Sequence, residues 1–77
     1  MFKIVINSEV MAVSGAMELA IRALPDLICD YANIGNSNLI NWVNGGIIVN
    51  SQCNSARASV KVTDIDIDIF IGKINVV

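Results

Sequence analysis

Apolar and polar residues alternate from Phe2 to Asn7, with Phe2, Ile4 and Ile6 on one side of an extended segment and Lys3, Val5 and Asn7 on the other. This predicts a first strand. From Val10 the apolar positions fall at 10, 13, 17, 20, 21, 24, 27, 28 and 31, which is the stripe of an amphipathic helix capped by Asn7 or Ser8. Ser14 and Gly15 offer a later start, at Gly15. The stripe keeps its phase through Pro25, but a proline inside a helix removes a hydrogen bond and collides with the preceding turn. A kink or break is therefore expected, with Pro25 opening a second short helix. Gly35 suits the left-handed residue that ends a helix, and Asn36 to Asn38 form a linker.

Val43-Asn44-Gly45-Gly46 lies between the apolar runs Leu39 to Val43 and Ile47 to Asn50. Asn-Gly in such a setting predicts a hairpin. A turn on Asn44 and Gly45 pairs Trp42 with Ile47 and Ile40 with Val49, putting four apolar residues on one face. The rival reading of the same run, a short helix from Ser37 to Asn44, lacks that agreement. After the polar stretch Ser51 to Ser55, alternation resumes with Ala58, Val60 and Val62 inward, then shifts by one so that Ile65, Ile67, Ile69 and Ile71 take the inward register. A one-residue phase change requires a bulge or a tight turn near Thr63 and Asp64, and a turn makes a hairpin of comfortable length. Gly72-Lys73 permits a further bend before Ile74 to Val77.

These elements predict a single α+β domain over residues 1–77. An N-terminal strand is followed by one kinked or broken amphipathic helix and then by an antiparallel meander of three to four strands, with the helix packed on one face of the sheet. One helix cannot cover both faces. The second face must be polar or covered by something else, and Val5, Leu39, Val43, Ile48 and Phe70, which fall out of phase with the inward positions, are candidates to form it.

Composition sharpens that point. Apolar residues make up 55% of the chain without counting glycine, above the roughly 45–50% usual for soluble domains with glycine included, and a domain this small buries only about 60% of its unfolded surface. The surplus needs a membrane span, an oligomer interface or a partner protein. A span is excluded by Glu18, Arg22 and Pro25 in the longest apolar stretch. The first residues do not read as a secretory signal, so the expected location is cytoplasmic. Five basic against seven acidic residues, with no basic cluster, argue against nucleic acid as a partner.

Candidate chemistry is sparse. Asp64, Asp66 and Asp68, spaced by two, would project from one strand face about 6.5–7 Å apart, a spacing at which neighbours can embrace a divalent cation but which also describes a solvated face. The chain has no histidine, no GxSxG motif and no phosphate loop, so no catalytic residue and no cofactor are assigned. Cys29 and Cys53 lack CxxC spacing and are expected to be buried thiols. Tyr31 and Trp42 are the large amphipathic aromatics, Trp42 being expected in the core. The asparagines between Asn33 and Asn54 suit either turns or hydrogen bonds to a partner.

The sequence therefore predicts a small non-enzymatic protein-binding module that inhibits or modulates a larger protein. Its partner-binding candidates are Asp64, Asp66, Asp68, Phe70, Val43 and Ile48. High Ile and Asn content fits an AT-rich gene of phage or plasmid type, although lysine is scarce. A self-assembling homo-oligomer, such as a homodimer, and a divalent-metal binder using the aspartates are the alternatives.

Overall fold

A computed structural model describes residues 1–74. Five strands and one helix follow in the order β1 (Phe2–Ile6), β2 (Glu9–Ser14), α1 (Met17–Ala32), β3 (Ile40–Val49), β4 (Ser55–Val62) and β5 (Ile65–Lys73), with a single 3-10 turn at Ser37–Leu39 before β3. The architecture is α+β. The strands form one sheet in the order β2-β1-β5-β4-β3, every neighbouring pair antiparallel.

The first departure from the sequence reading is at Asn7 and Ser8, which do not cap a helix. Both adopt positive φ, 47° and 69°, the two-residue turn whose twist suits a hairpin. Glu9–Ser14 returns as β2, and a bulge opposite Ile4 and Val5 brings both Met11 and Ala12 against the core. Asn7 also locks this hairpin to the rest of the fold. Its backbone N–H donates to Asp68 O at 2.9 Å, its Oδ1 accepts from Asp68 N at 2.9 Å, and its Nδ2 donates to the Tyr31 hydroxyl at 3.2 Å.

The helix starts two residues past Gly15, after the extended Ala16, and runs unbroken through Pro25. Ala20, Leu24 and Ile28, one residue per turn, are fully buried on the sheet, while Glu18, Arg22, Asp26 and Asp30 face solvent. Its end is set by Asn33, not Gly35. Asn33 is left-handed (φ 55°, ψ 46°), its N–H bonds Asp30 O, and Ile34 N–H bonds Cys29 O at 3.0 Å, a Schellman arrangement in which Ile34 packs against the core.

The expected hairpin on Asn44 and Gly45 is replaced by a single long strand. Along β3, Ile40 pairs with Val62, Trp42 with Val60 and Val49 with Ala56. Between Val43 and Ile48 five steps along β3 match two along β4, so the extra residues form a wide bulge that carries the left-handed Gly45 (φ 84°) and Gly46 (φ 87°). The glycines thus serve a bulge, and β3 pairs with β4 on both sides of it.

The expected tight turn at Thr63 and Asp64 is present and joins β4 to β5. Gly72-Lys73 does not bend, since β5 continues through Lys73. Of the expected segment Ile74 to Val77, all but Ile74 lies outside the described residues. In the core, Ile67, Ile69 and Ile71 of β5 sit opposite Val60, Ala58 and Ala56 of β4, and Ile69 and Ile71 also face Ile6 and Ile4 of β1. Each isoleucine so buried contributes about 1.5–3 kcal/mol relative to exposure.

Thr63 occupies the first turn position with φ 54°, where a side chain costs about 1–2 kcal/mol and glycine is favoured. Glycine's greater freedom in the unfolded chain offsets about 0.5–1 kcal/mol of that. Thr63→Gly is expected to raise stability by about 0.5–1 kcal/mol in urea unfolding. A loss would mean that the Thr63 Oγ1 bond to Val62 O, at 2.6 Å, outweighs the strain.

Candidate functional site

Because side chains alternate along a strand, burial of Ile4, Ile6, Ala56, Ala58, Val60, Ile67, Ile69 and Ile71 under the helix directs their neighbours to the opposite face. No element of the described residues covers that face. The register aligns its side chains in rows across the strands. Val10, Val5, Phe70, Arg57 and Ile48 stand side by side on β2, β1, β5, β4 and β3, one row spanning the whole sheet. With strands about 4.8 Å apart, this row is about 19 Å long.

At its centre the Arg57 guanidinium lies 5.2 Å from the centroid of the Phe70 ring, a cation–π contact. The Phe70 ring in turn lies over Gly72, where a Cβ would stand 2.7 Å from Phe70 Cζ. A larger residue at 72 would displace the ring from this position. Polar rows flank the apolar one. Asp68, Ser59 and Val43 are aligned on one side, with Ser59 Oγ donating to Asp68 Oδ1 at 3.4 Å, and Asp66, Lys61 and Asn41 form the next row, with Lys61 Nζ 4.0 Å from Asp66 Oδ1. That ion pair is exposed and adds little stability. On the other side lie Val13, Lys3 and Gly72.

A cleft of about 350 Å³ opens between Val5, Phe70, Arg57, Ser59, Asp68 and Ser8. A smaller hollow of about 80 Å³ lies across Arg57, against Val43, Gly46 and Ile48. Arg57 therefore forms the ridge between two depressions. The site presents one guanidinium, one carboxylate and two hydroxyls beside Val5, Phe70 and Ile48, groups suited to recognising a partner's side chains.

Five of the six sequence candidates, Asp66, Asp68, Phe70, Val43 and Ile48, meet on this face. Asp64 does not, because it sits in the β4–β5 turn. Among the described residues no group of three metal-ligating side chains is gathered, and the strand aspartates face Lys61 and Ser59 instead. Leu39 ends the 3-10 turn and is not in the rows. Arg57 was missed in the sequence, although its alternation with Ala56 and Ala58 marks it as outward. Val10 and Val13 were missed because they matched the helical stripe.

Asn33, Asn36, Asn50 and Asn54 serve turns, whereas Asn41 stands on the open face of β3. Asn36 Oδ1 caps the 3-10 turn through Asn38 N, and Asn50 Oδ1 accepts from Asn54 N and Ser55 N in the β3–β4 loop. Tyr31 is half-buried, and Trp42, although on the helix side of β3, is 38% exposed and lies outside the core in which it was expected. Both cysteines are free thiols, but only Cys29 is half-buried. Cys53, with φ 55° in the β3–β4 loop, is exposed, contrary to the expected burial. Among the described residues no helix is long and apolar enough to cross a membrane.

Comparison with models of known protein families, with curated proteins and with solved structures gives no match to this chain.

Proposed function

We propose that this chain is a small non-enzymatic protein-binding module that inhibits or modulates a larger protein by covering part of its surface with the open face of the sheet. The observation that carries this reading is the row Val10, Val5, Phe70, Arg57 and Ile48, an apolar band with a stacked arginine at its centre and polar rows beside it. Aromatic and arginine side chains dominate the centres of protein interfaces, and a polar rim surrounds them. A sheet held by a helix on its far side is rigid, so docking orders few side chains. A standard interface removes about 800 Å² from each partner, close to a sixth of the 4933 Å² surface of this chain.

The test is copurification of tagged protein from a native-host lysate, comparing Arg57→Glu with Arg22→Glu. Arg22 pairs with Glu18 on the outer surface of α1, 2.8 Å away, so the two variants change charge equally on opposite faces. A stoichiometric companion that survives Arg22→Glu and is lost with Arg57→Glu supports the reading. No companion, or one held equally by both variants, overturns it.

A further inference from the structure

Docking a partner on the open face takes water away from the charges that stand there. By register these are Lys3, Arg57 and Lys61 against Asp66 and Asp68, so the face is one positive charge in excess although the chain as a whole carries −2. Lys61 pairs with Asp66, and the other ion pair of the described residues, Arg22 with Glu18, lies on α1. Asp68 is held in place elsewhere, its side chain accepting from Ser59 Oγ and its backbone N–H donating to Asn7 Oδ1. Among the described residues no carboxylate therefore pairs with the Arg57 guanidinium, which rests against the Phe70 ring. In the free protein water satisfies it, since Arg57 is exposed. Under a partner an unpaired guanidinium is costly, because a charge taken out of water needs an opposite charge and hydrogen bonds. The covering surface has to bring the carboxylate.

The relief around Arg57 sets what accompanies that group. Arg57 is the ridge between the cleft walled by Val5 and Phe70 and the hollow against Val43 and Ile48. Val5 and Ile48 stand on β1 and β3, three strand spacings apart along the row, or about 14 Å at about 4.8 Å each. In an extended chain residues i and i+4 lie about 13 Å apart, on the same side as i+2. An acidic residue at i+2 over Arg57 thus brings apolar residues at i and i+4 onto the two depressions. Asp68 borders the larger one, and it disfavours a phosphate group, with nearly two negative charges, more than a single carboxylate.

We propose that the open face takes an extended segment of another protein with the pattern apolar-x-acidic-x-apolar, laid along the row, its carboxylate accepting paired N–H···O bonds from Arg57. The inference rests on the open-face reading and names the chemistry of the partner. Arg57 selects the segment by charge, while Val5, Phe70 and Ile48 supply apolar contact.

The test is titration of the whole isotope-labelled chain with acetyl-Leu-Ser-Glu-Ser-Leu-amide, and with the same peptide carrying Gln or Lys in place of Glu, followed by backbone amide shifts in NMR. The Glu peptide is expected to shift Val5, Arg57, Phe70 and Ile48 and to bind about three- to tenfold more tightly than the Gln peptide. Arg57→Gln abolishes that preference and Arg22→Gln keeps it, each variant retaining the dispersed spectrum of the folded chain. Equal binding of the Glu and Gln peptides overturns the proposal, as does tightest binding of the Lys peptide, which would make Asp68 the seat. In both cases peptides still occupy the open face, and the open-face reading survives. No shift on this face with any of the three peptides at millimolar concentration also overturns the proposal, and the copurification result then judges the open-face reading separately. Shifts of the same residues on concentrating the chain alone would make a second copy the occupant, through the Glu18, Asp26 and Asp30 surface of its α1, and would overturn the proposal as well.

Discussion

Leu24→Ala is expected to lower unfolding free energy by about 2–5 kcal/mol, and Leu19→Ala to change it by less than about 0.5 kcal/mol. Both residues are leucines of one helix. Leu24 is 0% exposed and Leu19 is 53% exposed, and five residues at 3.6 per turn set them about 140° apart around the axis. Truncating Leu24 removes a buried side chain between Ala20 and Ile28 and leaves a cavity that a sheet of paired strands cannot easily close. For a chain of this length total stability is on the order of 4–12 kcal/mol, so the variant loses a large part of it and its melting temperature falls by roughly 10–40 °C. Urea unfolding followed by circular dichroism, with the slope unchanged, gives the comparison. Equal losses at the two positions would show that the helix does not dock by the stripe Ala20, Leu24 and Ile28.

Pro25→Ala should act in the other direction, stabilising the protein by about 1–3 kcal/mol. Pro25 is the ninth residue of the sixteen in α1. It has no N–H to offer the Ile21 carbonyl, and its ring crowds that carbonyl. In a helix interior this costs about 3 kcal/mol relative to alanine. Part of the gain is offset by the freer unfolded chain of the alanine variant, about 0.4–1 kcal/mol. A higher urea midpoint at unchanged slope is the expected result. An unchanged or lower midpoint would mean that the half-buried ring contributes packing as large as the backbone penalty.

The same proline shows why a local rule can fail. Its penalty is that of one residue, whereas Ala20 and Leu24 before it and Ile28 after it are all removed from water. Continuous burial on both sides of Pro25 exceeds the cost of one irregular turn, and the helix does not break. The apolar stripe already contained that answer, since its phase passes through Pro25 without a shift.

Other errors arose where local signals were degenerate. Val10 and Val13 fit a helical stripe, and they fit a strand equally well. Asn7 and Ser8 suit a helix cap and a hairpin turn for the same reason, because short polar side chains satisfy nearby backbone groups in both. Asn44-Gly45 is a sound hairpin signal, yet the sheet uses the adjacent glycines in a bulge. The deciding partner, β4, lies a loop away, and no property of residues 39–50 alone reveals it.

What the sequence determined by itself is the inward residues Ile4 and Ile6 of β1, Ala58, Val60 and Val62 of β4 and Ile67, Ile69 and Ile71 of β5, though not Ile65, which is 47% exposed, together with the buried stripe of the helix, the turn at Thr63 and Asp64, and an apolar surplus too large for one covered face. These follow from periodicity, which is a local property of the backbone. Tertiary structure alone decided that β1 lies between β2 and β5, that β3 is an edge, and that Val10, Val5, Phe70, Arg57 and Ile48 form one row. Residues from five separated segments meet there through long-range strand register. That register is set by the simultaneous burial of isoleucines on the other face, so the site is positioned by packing that no single segment contains.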